Sequence, residues 1–190
     1  MAKSLCGNGS RCAVRFANIA GICTENTSFN TIEGELSAKI KNGLVHLKMP
    51  DVKGIMNVGS DLFINTGSPH YIRYITDIEN FDVYNEGRSI RYSGLYGERG
   101  TNVNFIESRG KNEIFVRTYE RGVENETLSC GTGVTACALA HASMGAESPV
   151  SVSTPGGNLT VSFKKQDNGH FTDIYLVGPA EKVFKGEVII

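Results

Sequence analysis

Apolar and polar positions follow two different rhythms along the chain. After Cys6, the residues Cys12, Ala13, Phe16, Ile19 and Ala20 recur at helical spacing, which predicts a first helix ending near Gly21. A β-rich stretch follows at 27–32, 36–40 and 44–47. Asn42-Gly43 joins the last two, and Asn-Gly between apolar runs is a strong hairpin signal. From Asp51 the pattern restarts, with strands at 61–66 and 71–75 separated by Gly67-Ser68-Pro69. A partly apolar helix is expected at 77–85, through Ile78, Phe81 and Val83. A strand pair is expected at 102–107 and 113–119, around Arg109-Gly110-Lys111. Residues 132–143 read as a second helix, small and apolar (Val134, Ala136, Cys137, Leu139, Ala140). Strands at 150–154, 159–163, 174–177 and 182–190 close the chain, with Gly156-Gly157 as a turn. The pattern is α+β, with many strands and two main helices.

Composition narrows the classes. The 190 residues suffice for one large domain or two small ones. The net charge of −1, from 19 basic and 20 acidic residues, leaves no electrostatic footprint for nucleic acid or an anionic membrane. No apolar run approaches the ~20 residues of a membrane helix, and no signal peptide is evident, so a cytoplasmic location is expected. The five cysteines (Cys6, Cys12, Cys23, Cys130, Cys137) are an odd number without a C-x-x-C, and His46, His70, His141 and His170 are scattered. Neither a disulfide framework nor a metal site is expected, and reactive thiols become the more interesting option.

The internal repeat carries the chemistry. Cys6-Gly7-Asn8-Gly9 opens the first helix and Cys130-Gly131-Thr132-Gly133 the second, each with another cysteine further along (Cys12, Cys137). Either motif alone reads equally well as a small buried thiol in a tight turn. The pair suggests duplicated halves with two sulfurs facing one cleft. Inverting a stereocentre beside a carboxylate needs a base on one face and an acid on the other. Cysteine suits both tasks, because a helix N-terminus tunes its pKa toward neutrality. Glycines let the backbone approach a ligand, and the exposed N–H groups of two helix starts would hold a carboxylate as charge builds on it. Asn8 and Thr132, at matching positions, would add side-chain donors.

The segments Leu5-Cys6-Gly7-Asn8-Gly9-Ser10-Arg11-Cys12 and Tyr119-Glu120-Arg121-Gly122, then Thr127-Leu128-Ser129-Cys130-Gly131-Thr132-Gly133, resemble the two signature regions of diaminopimelate epimerases. Gly67-Ser68-Pro69-His70 and Gly100-Thr101-Asn102-Val103-Asn104-Phe105 fall between them in the family's order. The resemblance implies two pseudo-symmetric halves, each wrapping strands around a central helix, with the site between them. It implies that Cys6 and Cys130 are the acid/base pair, and that Gly7, Asn8, Gly131 and Thr132 hold the reacting carboxylate. Ser68, Asn102, Glu120 and Arg121 would contact substrate, Arg121 as a clamp on the distal carboxylate. His70 and Glu120 would support catalysis. It also implies an amino-acid substrate, no cofactor and no metal.

Two departures accompany the match. Ser68 stands where the family usually has asparagine, and an extra residue falls in Val123-Glu124-Asn125-Glu126. Family members also carry a substantial stretch before the first signature, whereas Cys6 lies near the start here. The division expected is therefore 1–50, a remnant of the first half completed by a returning strand at 182–190, and 51–181 as the second half. A chain of that kind is expected to be impaired, with a homodimer covering the exposed face of its first helix. Two other readings stay open: a two-cysteine racemase or epimerase of the proline or hydroxyproline type, and a non-catalytic binding or assembly domain. Cys12, Cys23, Cys137, His46, His141 and His170 are expected in the core.

Overall fold

The computed structural model describes residues 5–31 and 34–187. In chain order these form α1 (Gly7–Ile19), β1 (Asn26–Thr31), β2 (Gly34–Lys41), β3 (Leu44–Lys48), β4 (Met56–Val58), β5 (Asp61–Asn65) and β6 (Pro69–Tyr74). Next come α2 (Val83–Arg91), β7 (Asn102–Gly110), β8 (Glu113–Glu120), β9 (Asn125–Thr127), α3 (Gly131–Ser143), β10 (Val150–Thr154), β11 (Gly157–Lys165) and β12 (Phe171–Gly178). All the strands belong to one sheet, ordered β1-β2-β3-β12-β11-β10-β8-β7-β6-β5-β4, with β9 added on β8. The fold is α+β, a large sheet with few helices.

Local chemistry explains the connections. Asn42 and Gly43 take φ values of 51° and 77°, the paired left-handed turn that matches strand twist, and so fix the β2–β3 register. Two strand pairs are parallel, β6–β7 and β8–β10. Parallel neighbours need a crossover, and the two crossovers carry α2 and α3 respectively.

The sheet curls around α3, which packs against β5 to β8 and β10 to β12. Twelve of its thirteen residues, Gly131 to Ala142, are buried. A helix enclosed on every side must be apolar all round, and Ala136, Ala138, Ala140 and Ala142 let the strands approach closely. The main core comprises α3 with the residues that face it, among them Leu47, Ile72, Ile114, Val161 and Leu176. A second, smaller core of Tyr71, Ile78, Val83, Val103, Phe105 and Tyr119 lies where α2 covers β7 and β8.

Several expectations are corrected. The helix expected at 77–85 lies at Val83–Arg91, because the Asp82 carboxylate accepts from the Asn85 amide (3.1 Å) and starts the helix there. Ile78 instead sits buried in a turn whose amide is held by Glu107 (2.8 Å). The strand expected at 182–190 is absent from 182–187, and 188–190 lies outside the described residues, as does Ile32 at the end of the expected 27–32 strand. The sheet is instead closed toward the first helix by β12, which pairs with β3. Cys12 is exposed and Cys23 half-buried, leaving Cys137 in the core. His46 and His170 are half-buried, while His141 is buried.

The apolar stripe read along α1 is real in sequence but faces outward. Cys12, Ala13, Phe16, Ile19 and Ala20 are all exposed, Phe16 by 70%. The inward residues are Gly7, Arg11 and Val14. The rotation of α1 is set at its start, where Gly7 packs against Gly131, and that contact turns Arg11 and Val14 inward in the next turns. Among the described residues, no helix is long and apolar enough to cross a membrane.

Candidate active site

The two Cys-Gly-x-Gly motifs fold alike. Cys6 caps α1 with φ −105° and ψ 101°, and Cys130 caps α3 with φ −115° and ψ 110°. Each cysteine carbonyl accepts the first helical bond, from Ser10 at 2.9 Å and from Val134 at 2.8 Å. The Gly9 amide donates to Cys6 Sγ at 3.3 Å. Both helices are thus entered from an extended cysteine, with first-turn amides that have no backbone partner within the helix.

Glycine brings the two starts together. A Cβ on Gly131 would lie 3.0 Å from Gly7 Cα and 3.0 Å from Leu176 Cδ2. A Cβ on Gly7 would lie 2.9 Å from the same leucine carbon and 3.2 Å from Gly131 Cα. A side chain at either position would crowd the other backbone, so the two helix starts approach this closely because both residues are glycine. Asn8 ties the junction by donating to the Ser129 carbonyl at 2.8 Å.

Around this junction lies a cavity of about 80 Å³ lined by Leu5, Cys6, Gly7, Asn8, Ser68, Asn102, Glu120, Arg121, Ser129, Cys130, Gly131 and Thr132. Ten of the residues singled out from sequence therefore converge on one small space. His70 does not line it but stands behind Thr132, with Nε2 at 3.0 Å from Thr132 Oγ1. Larger grooves occur elsewhere, one of about 490 Å³ beside Cys12 and Phe16, but they lack this convergence of thiols, amides and charges.

The electrostatics of the two sulfurs differ because Cys6 is exposed and Cys130 only 7% exposed. Burial pushes the Cys130 thiol up to about 11, and the Glu120 charge adds to this, against the Thr132 hydroxyl and the Gly133 amide. Burial likewise holds His70 down to about 3, with the Arg121 cation acting in the same direction, so the ring is neutral.

The cavity lining also carries charge, through Glu120 and Arg121. Arg121 is anchored through its backbone amide to Asn102 Oδ1 (3.0 Å) and through its guanidinium to the Arg99 carbonyl (3.2 Å). Asn102 also donates to the Pro69 carbonyl at 2.9 Å, so it ties β6 to the end of β8. Glu120 accepts from Thr127 at 2.9 Å. The loop between β8 and β9 supplies Glu124, which pairs with Arg91 at 3.1 Å.

Sequence reasoning missed Leu5 and Ser129, which line the cavity, and the buried Arg11, Thr66, Asn104 and Thr118. Thr66 donates to the Thr132 carbonyl at 2.9 Å and fastens the first turn of α3. Asn104 had a signal of its own, an asparagine in the first half of a strand, where both faces are buried.

The family model for diaminopimelate epimerase matches residues 62–183. A diaminopimelate epimerase of Flavobacterium psychrophilum is 45% identical over 186 residues, covering 96% of this chain and 72% of the relative. The chain belongs to the diaminopimelate epimerase family. A second member, from Aquifex aeolicus, is 41% identical over 197 residues, covering 97% of this chain and 69% of its own length. Likeness of fold extends beyond the diaminopimelate epimerases. A PhzF-family phenazine biosynthesis protein of Bacillus anthracis superposes with TM-score 0.77 at 14% identity, over 99% of this chain and 77% of that one. A hydroxyproline epimerase from Agrobacterium vitis, solved with trans-4-hydroxy-L-proline, gives 0.64 at 16% identity, over 93% and 65%.

Proposed function

We propose that the chain is a cofactor-independent isomerase that interconverts LL- and meso-diaminopimelate, on the route to lysine and peptidoglycan, with Cys6 and Cys130 as its two acid/base groups. The observation that supports this most is the meeting of two cysteine-capped helix starts, glycine against glycine, at one cavity. The substrate's reacting carboxylate sits on the first-turn amides of α1 and α3, with Asn8 and Thr132 beside it. As the α-proton leaves, the C–H electron pair moves into that carboxylate, and the helix starts stabilise the charge.

One sulfur takes the proton from one face while the other delivers its own to the opposite face. Atoms balance without a co-reactant, and the two sulfurs exchange protonation states in each turnover. Burial favours the protonated form of Cys130, which suits it to deliver a proton as the acid. In the reverse sense, Cys130 acts as thiolate, and a desolvated thiolate is a strong base for a weakly acidic carbon. Arg121 and Glu120 hold the distal amino-acid head, which favours a substrate with a second charged end over proline or hydroxyproline.

The test is deuterium incorporation at the α-carbon of meso-diaminopimelate in D₂O, with reduced protein. Exchange lost in both Cys6→Ala and Cys130→Ala supports the two-base reading. No exchange by folded wild type would overturn it in favour of a non-catalytic binding domain. Exchange on proline but not diaminopimelate would reassign the substrate.

A further inference from the structure

Behind the Cys130 half-site runs a chain of hydrogen bonds buried from end to end. Thr118 Oγ1 donates to Asn104 Oδ1 at 3.0 Å. Asn104 Nδ2 lies 2.9 Å from the Tyr71 carbonyl and 3.1 Å from His70 Nδ1. His70 Nε2 lies 3.0 Å from Thr132 Oγ1, which in turn is 3.5 Å from Cys130 Sγ and 3.4 Å from Ser68 Oγ. His70, Asn104 and Thr118 are almost fully buried, so bulk water does not complete their bonding.

The direction of each bond follows from one fixed point. A backbone carbonyl only accepts, so the atom of Asn104 facing Tyr71 is the amide nitrogen. That same nitrogen faces His70 Nδ1, which must therefore accept with its bare lone pair. The neutral ring then carries its proton on Nε2 and donates it to Thr132 Oγ1. Thr132, having accepted there, keeps its own hydroxyl proton free. Sulfur in the thiolate state can receive it, and Ser68 can receive it when Cys130 is a thiol.

The opposite tautomer would change this. Nε2 would then be an acceptor, the Thr132 proton would be committed to it, and no side-chain donor would remain for the sulfur. We propose that Asn104 is a positioning residue that fixes His70 as the Nε2–H tautomer and thereby reserves the Thr132 hydroxyl proton for the thiolate of Cys130. The inference rests on the reading of Cys130 as a working sulfur.

The packing fits such a role. Asn104 and Thr118 are cross-strand partners on β7 and β8, and both strands lie against α3. A Cβ on Gly133 would lie 2.5 Å from Asn104 Oδ1 and 3.3 Å from His70 Cε1. Glycine at the third position of the motif is thus what admits the asparagine and the imidazole beneath the helix start. Among the described residues, the corresponding Gly9 in the first motif has only Cys6 atoms near it, with no counterpart of the asparagine and imidazole. The other ionisable groups acting on Cys130 are Glu120 and Cys6, and Cys130 in turn acts on the buried Cys137 thiol.

The experiment combines long-range ¹H–¹⁵N spectra of the histidine rings with the pH dependence of Cys130 alkylation by iodoacetamide, read on its own peptide by mass spectrometry. Both work without turnover. A failure of the catalytic reading would show as absent deuterium exchange, while a failure of this inference would show in the ring signals or the alkylation profile. Wild type should show His70 protonated at Nε2 and bare at Nδ1. In Asn104→Asp an ionised carboxylate can only accept, so the ring should move its proton to Nδ1. Alkylation of Cys130 should then begin about one pH unit higher, and exchange should slow about 10- to 100-fold, with KM changed less than kcat.

Thr132→Val should raise the alkylation onset similarly while the His70 signals stay as in wild type. It keeps the test decisive if the aspartate variant fails to fold. Thr118→Val removes a buried hydrogen bond of the same kind, and should lower stability without moving the tautomer or the onset. Wild-type His70 protonated at Nδ1, or a reversed ring with an unchanged alkylation profile, would overturn the proposal. So would an onset unmoved in Thr132→Val.

Discussion

The two cysteine-capped helices start identically and end in different worlds. Both run for thirteen residues from a Cys-Gly-x-Gly entry with nearly the same cap dihedrals. α3 is buried through twelve residues, whereas α1 buries three and turns Phe16 and Ile19 outward. The difference teaches that a motif dictates the local turn and the direction of its amides, while burial is dictated by what the rest of the chain lays over it. It also separates the chemistry of the two sulfurs. The same residue in the same turn is exposed at Cys6, and enclosed with a neutral imidazole behind it at Cys130.

Acid gives the largest test of that asymmetry. His70 is held neutral to about 3 in the fold, whereas a free imidazole titrates near 6.5. The unfolded chain therefore takes up the proton first as pH falls. This contribution to stability is whole above pH 6.5 and is lost progressively toward pH 3. At about 1.4 kcal/mol per unit the loss approaches about 5 kcal/mol. Urea unfolding at successive pH values should show that slope, and His70→Gln should remove it. A slope unchanged in the variant would place the acid sensitivity elsewhere.

Packing gives the next contrast. Leu139 is fully buried in α3, so Leu139→Ala should cost about 2–5 kcal/mol in denaturant unfolding. A loss under about 1 kcal/mol would mean that the core around α3 collapses to fill the gap. At the junction, Gly131→Ala forces a Cβ to within 3.0 Å of Gly7 Cα. Spreading the two helix starts should slow α-hydrogen exchange about 100-fold while the chain remains folded, because misplacing reacting groups by about an ångström has that effect. Undiminished exchange would show that the glycine contact does not set the distance between the sulfurs.

Much of this was legible in the sequence, for identifiable reasons. The Asn42-Gly43 hairpin and the two Cys-Gly-x-Gly entries are local devices, and local chemistry determines them. The ten residues gathered at the cavity were legible only through the ordered motifs, since Asn102 and Glu120-Arg121 have no distinctive local pattern. The orientation of α1 was not legible, because it depends on a contact between Gly7 and Gly131, residues far apart in the chain. Asn104 and Thr118 were passed over for a related reason. A polar residue in a strand reads as solvent-facing until the topology shows that both faces of β7 are buried over its first five residues. The start of α2 at Asp82 was available in the Asp-x-x-Asn spacing, but the apolar periodicity of Ile78 and Phe81 pointed one turn too early.

The smallest expected effect bears on the other half of the comparison. Phe16 is 70% exposed on α1, facing a groove whose far wall is the segment from Ala180 to Gly186. If the outward stripe of α1 contributes little to the fold of this 190-residue chain, Phe16→Ser should change the unfolding free energy by less than about 0.5 kcal/mol, as most exposed substitutions do. Burying a phenylalanine is worth about 1.5–3 kcal/mol, so a loss of that size would mean that the groove closes over the ring in solution. The measurement thus decides whether α1 is held by its N-terminal glycine contact, Arg11 and Val14 alone, or by a second face as well. The first result would leave Cys6 on a helix anchored chiefly at one end, beside a Cys130 that is anchored along its whole length.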